Sequence, residues 1–174
     1  MKESTEFIFK EIPDLGGIVL ITASENRTNC CSHGNLQPSD VSDGLGQEVN
    51  ASYVCPACSR RGAVEVLPDA ANLVYEGIQA SGSDAEVVQW LWGWDFMLDI
   101  EQEKKAVGNL AQGITVMVDW AKYTPFTVFG GSGTIGEYTL SYVKPSDFAK
   151  ELISESRNQG RKVFSKCALS STVE

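Results

Sequence analysis

The period of the hydrophobic positions changes several times along the chain, and each change predicts an element. In "TEFIFKEI", Phe7 and Phe9 alternate with Glu6, Ile8 and Lys10, and the turn-forming "PDLGG" then leads into the apolar "IVLIT". Two such runs around a Pro/Gly turn predict a β-hairpin. From Ser24 to Asn50 the chain is polar and rich in Gly, Ser, Asn and Asp, which predicts a long loop. A short strand, "ASYV", leads into "CPAC", and "GAVEVL" is expected as the strand that leaves it.

Asp69 is placed to cap a helix through "AANLVYEGIQA", where Ala70, Leu73, Val74 and Ile78 fall near one face. Ser83 and Glu86 have the spacing of a capping box ahead of Val87, Val88 and Leu91, so a second helix is expected to run toward "DIEQEKKAVGNLA". Trp90, Trp92, Trp94 and Phe96 recur at period two within that stretch, as they would in a strand. Beyond Gly113, "ITVMVDW", "PFTVFG" and "EYTLSYV" are rich in β-branched and aromatic residues, predicting three antiparallel strands with the glycines of "GGSGTIGE" as a hairpin tip. Pro145, Ser146 and Asp147 open a last helix with Phe148, Leu152 and Ile153 as its buried stripe, and the tail after Gly160 is weakly patterned. The sum is an α+β fold. A β-rich module covers residues 1–67, an α+β segment of helices and an antiparallel meander covers 68–174, and the two pack as one globular unit.

Composition narrows the function. The 174 residues include 23 acidic and 14 basic side chains, a net charge of −9, which opposes attraction to nucleic acid or anionic membranes and suits a basic partner. No window has the roughly 20 apolar residues of a membrane span, and "MKESTEFIFKEIPD" lacks the apolar run of a secretory signal, so a soluble cytoplasmic protein is expected.

The long loop holds the clearest chemistry. Cys30 and His33 are separated by two residues, and after twenty-one more come Cys55 and Cys58 with the same spacing. A tight turn projects its first and fourth residues to one side, so each pair offers two donors to one tetrahedral ion. A disulfide framework and a Cys–His nucleophile remain as alternatives; the first needs an oxidising compartment and leaves Cys167 over, and the second lacks an orienting partner. Cys31 competes with Cys30 as the ligand at the first turn.

With its strand, Cys-Pro-x-Cys turn, basic pair and returning segment, "YVCPACSRRGAVEV" resembles a zinc ribbon, and the likeness extends over roughly residues 17–67. The resemblance implies a structural zinc held by Cys30, His33, Cys55 and Cys58, contributing on the order of 10 kcal/mol to the folded state. Ser59 stands where such turns often carry glycine.

Other residues point to partners. Trp92 is a candidate aromatic anchor, Asp95 and Asp99 are candidate contacts for a basic protein, and Arg60 and Arg61 are the positions at which a zinc ribbon would meet nucleic acid. The expected function is an acidic, zinc-stabilised, non-enzymatic protein acting through protein–protein contact, of the inhibitor, immunity or adaptor type. A nucleic-acid-associated zinc ribbon is the alternative, and an enzyme with a carboxylate site hidden from sequence is the third.

Overall fold

The computed structural model describes residues 1–23, 29, 61–136, 142 and 144–167. The chain opens with helix α1 (Lys2–Glu11), where the first hairpin strand was expected. Its buried residues are Thr5 and Phe9, four apart, while Phe7 and Ile8 are exposed; period four overrides the apparent alternation, and a Glu6–Lys10 ion pair at 2.6 Å supports the helix. Helix α1 lies on α2 (Ala63–Ser81) at Gly77, where a β-carbon would come within 2.5 Å of the Lys2 carbonyl oxygen. The apolar run after the turn is β1 (Gly17–Ile21), as expected.

"GAVEVL" is not a strand but the start of α2, and it carries Pro68 into the helix interior. Proline has no N–H to offer the Val64 carbonyl one turn earlier. The side-chain amide of Asn109 donates to that carbonyl instead, at 3.1 Å. Asn72 donates to the Asn109 carbonyl and accepts from the backbone N–H of Ala111, which sews α2 to the end of α3 (Ile100–Gly108).

The helix expected after Ser83 is strand β2 (Glu86–Trp90). Left-handed Gly82 closes α2, the Ser83 hydroxyl accepts from the N–H of Ala85, and the Glu86 carboxylate accepts from Thr115 and Lys162 on neighbouring segments. The capping pattern is thus divided between a turn and the sheet, and β-branched residues in a doubly paired strand prevail. The expected helix begins only at Asp99, whose carboxylate forms a capping box with Gln102.

Strand β3 (Thr115–Asp119) forms where "ITVMVDW" predicts it, but it does not start a meander. It lies between β2 and β6 (Val163–Lys166) in a four-stranded sheet of order β1-β2-β3-β6, parallel throughout. Strands β4 (Pro125–Val128) and β5 (Gly131–Thr134) form a separate antiparallel hairpin. Its tip is Phe129–Gly130, so the expected glycine tip is itself strand β5; of "EYTLSYV", only Tyr142 is among the described residues. Helix α4 (Asp147–Asn158) starts as expected, with the Ser146 hydroxyl accepting from the N–H of Ala149. The fold is therefore mixed α/β, and its sheet is parallel where an antiparallel one was expected.

Strand order equals chain order, and a helix follows each of the first three strands. Right-handed crossovers then place α2, α3 and α4 on one face, and they pack against one another in succession. That face presents Ile18, Leu20, Val87, Val116, Val118 and Val163 to the core. The register puts Ile21, Trp90, Met117 and Phe164 in one row on the opposite face, with Asp119 and Lys166 paired next along it. A one-sided parallel βα succession of this kind is the construction from which (β/α)8 barrel walls are built, and it directs attention to the carboxyl ends of its strands.

Candidate functional site

Three connections meet at the carboxyl edge of the sheet. After β2 the chain makes a turn at left-handed Gly93, where a β-carbon would come within 1.8 Å of the Ala23 carbonyl oxygen beyond β1. Glycine is required there by both its backbone angle and the close approach. Trp94 follows with no exposed surface, and its indole N–H donates to the Thr22 hydroxyl at 3.0 Å, fixing the 3₁₀ turn Trp94–Phe96 to the end of β1.

This turn delivers Asp95 to the end of β3. Its carboxylate accepts from the Lys122 ammonium at 2.6 Å and from the Tyr123 hydroxyl, and Asp119 lies 4.0 Å from the same ammonium. The Trp90 indole N–H donates to Asp119 at 2.9 Å. The side chains of Asp95, Asp119 and Lys122 are each no more than 5% exposed. The Phe96 and Tyr123 rings, both exposed, each have their centroid 5.7 Å from the buried ammonium. Tyr123 holds a left-handed backbone (φ 63°), a strained conformation for a residue with a side chain. Burial, reinforced by the hydrogen bond to Asp95, holds its phenol protonated well above its usual range.

Helix α3 adds Glu103, which is 1% exposed. Its carboxyl is pushed up to about 8, chiefly by burial and further by the charges of Asp95 and Asp119, against an opposing pull from Lys122. One of its oxygens, Oε2, has no hydrogen-bond partner among the described residues. The centre thus joins a carboxylic acid that is protonated at neutral pH to an aspartate–lysine–tyrosine network, a combination able to donate and receive a proton.

The residues singled out from sequence are distributed differently from the expectation. Trp92 is half-buried beside this centre, its ring 6.4 Å from Trp90 and 6.3 Å from Phe96. Asp95 belongs to the buried network, whereas Asp99 caps α3. Arg61 bonds both oxygens of Asp69, at 2.7 and 3.1 Å. Cys30, His33, Cys55, Cys58, Cys31 and Arg60 lie outside the described residues; among the described residues no group of three or more His, Cys, Asp or Glu is arranged to hold a metal. No described helix is long and apolar enough to cross a membrane.

Sequence reasoning missed Glu103, Asp119 and Lys122. A signal for Glu103 exists: in "DIEQEKKAVGNLA" it occupies the stripe completed by buried Ala106, Val107 and Leu110, at the spacing i, i+3, i+4, i+7. A carboxylate on an apolar stripe is either paired or protonated. Asp119 ends an apolar strand, Lys122 lies three residues beyond it, and neither carries a comparable mark. No family model matches the chain, and no curated protein or solved structure matches it either.

Proposed function

We propose that the protein is an enzyme of acid–base type whose centre is Glu103 with Asp95, Asp119 and Lys122. The observation that carries the reading is Glu103: a buried carboxyl, protonated near neutral pH, placed beside two aspartates that share one ammonium at the carboxyl edge of a parallel sheet. That edge is where the loops of such folds gather their reacting groups. Glu103 serves as the general acid, its raised pKa matching a donor that must hold its proton at the working pH. Lys122 stabilises developing negative charge, and Asp95 with Tyr123 holds it in place. Phe96 and Tyr123 close over the ammonium, so substrate enters by displacing exposed rings. This is the carboxylate enzyme that stood third in the sequence reading, and hydrolysis of a small polar substrate is the class paired carboxylates serve best.

The test is a panel of chromogenic glycosides, esters and phosphate monoesters against wild type, Glu103→Gln and Asp95→Asn. The proposal expects turnover of at least one class, lost in Glu103→Gln while its fold is retained. Turnover of none, or equal rates in all three proteins, refutes it.

A second reading keeps the zinc-stabilised partner-binding protein, and the β4–β5 hairpin favours it. Phe126, Val128 and the fully exposed Phe129 project from a stretch, residues 124–136, that carries no charge. Exposed aromatic anchors of this kind recur at the centre of protein interfaces. In this reading Cys30, His33, Cys55 and Cys58 hold a structural zinc, and a basic protein is the partner. Zinc determination on protein purified without chelator decides the metal: one equivalent supports it, and none refutes it. Contact with nucleic acid through Arg60 and Arg61 would require Arg61 to give up Asp69.

A further inference from the structure

A second site, sharing no residue with the carboxyl-edge centre, lies between α4 and strand β6. A cleft of about 470 Å³ opens there, lined on the helix side by Lys150, Ile153, Ser154, Arg157 and Asn158, with Val163 and Ser165 opposite. The helix positions recur at i, i+3, i+4, i+7 and i+8, a single stripe beside the one that buries Ala149, Leu152 and Ser156. Its volume falls within the range of small-molecule pockets, roughly 300 to 1,000 Å³, and its lining has an apolar and a polar side. Trp120, Ile153 and Val163 supply an apolar wall; Ser154, Arg157, Asn158 and Ser165 supply the polar groups.

Charge decides what the cleft selects. In a chain with 23 acids to 14 bases, the described cations are mostly neutralised: Lys2, Lys10, Arg61, Lys104, Lys122 and Lys162 each meet a carboxylate. Arg161 spends its guanidinium on the carbonyls of Leu110 and Ala111. Arg157 has no carboxylate or carbonyl partner among the described residues; Lys105 and Lys144 share that state but do not line this cleft. Lys150, two helical turns before Arg157, is itself paired with Asp147 on the exposed side, which leaves Arg157 as the cation available in the cleft. A planar guanidinium flanked by hydroxyl and amide groups matches an oxyanion, which it binds through two parallel N–H bonds.

We infer that this cleft binds a small molecule consisting of an oxyanion, carboxylate or phosphate, attached to a planar apolar ring, with the anion on Arg157 and the ring against Trp120 and Val163.

The experiment titrates the full chain with phenyl phosphate, benzoate and inorganic phosphate, followed by shifts of the Trp120 indole and the Ser154 and Ser165 amides in two-dimensional NMR. The expected result is saturable binding of phenyl phosphate or benzoate at these three reporters, with inorganic phosphate weaker. Whichever of the two ring compounds binds more tightly identifies the anion as phosphate or carboxylate. Arg157→Gln, at an exposed helix position, weakens binding about tenfold or more, the loss of a charge-assisted pair. Arg157→Lys restores part of it. Absence of saturable shifts, binding unchanged in Arg157→Gln, or shifts elsewhere on the surface overturns the proposal. Arg157→Gln leaves the carboxyl-edge centre untouched, so this outcome is read separately from any catalytic activity.

Discussion

Replacing Glu103 with glutamine tests the physical basis of the candidate centre without knowledge of a substrate. In the folded protein the carboxyl keeps its proton to about pH 8, whereas in the unfolded chain it ionises near its ordinary value of 4.5. Between those values the folded state binds the extra proton, so raising the pH favours unfolding. The resulting penalty is about 1 kcal/mol at pH 5, about 3 kcal/mol at pH 7 and about 4 kcal/mol at pH 8. Glutamine keeps the shape of the protonated acid and does not titrate. Urea unfolding of both proteins from pH 5 to 8 should therefore give curves that nearly meet at the acid end and diverge by about 3 kcal/mol toward the basic end, the variant being the more stable. For a chain of this size the gap at pH 8 corresponds to about 10 °C in Tm. Subtracting one profile from the other removes every group the two proteins share. If the difference is flat across this interval, or the variant is the less stable at pH 8, Glu103 is not a buried neutral acid and the proposed proton donor is lost.

Other substitutions probe neighbouring features. Lys122→Met leaves Asp95 and Asp119 buried without their cation and should cost about 3–5 kcal/mol in urea unfolding, part of which returns in Lys122→Met/Asp95→Asn; a loss below about 1 kcal/mol counts against a buried ion pair. Asn109→Ala withdraws the donor that serves the Val64 carbonyl and should lower stability by about 1–3 kcal/mol, seen as a drop of a few degrees in Tm. Phe129→Asn places in the hairpin tip a residue that tolerates its left-handed backbone (φ 52°), and should raise stability by up to about 1 kcal/mol by calorimetry while abolishing any protein contact made through the hairpin.

Much of the element pattern was legible, and the failures have identifiable causes. Strands β1 and β3, the Ser146 cap and helix α4 follow directly from β-branched runs and a hydroxyl before a helical stripe. "TEFIFKEI" misled because its alternating phenylalanines are not both buried: Phe9 packs and Phe7 does not. "SDAEVVQW" misled because Glu86, four positions before Trp90, serves residues brought close only by the tertiary fold. That the sheet is parallel was hidden for the same reason, since "ITVMVDW" and "PFTVFG" read alike as strands while only the first reaches the core. Strand β6 was missed because four residues carry little pattern on their own. The candidate centre was half visible: Asp95 was singled out, but as a surface contact, and its lysine partner comes from the far side of α3 and β3 in the chain.

The bond from Asn109 to the Val64 carbonyl has a consequence for how this chain can vary. Pro68 leaves a vacancy in the hydrogen bonding of its own helix that a distant side chain fills, so each of these positions makes sense only in the presence of the other. Descendants that restore an ordinary residue at Pro68 should be free to lose the asparagine, whereas those that keep the proline should keep both, and a set of divergent sequences would record that dependence as paired substitution.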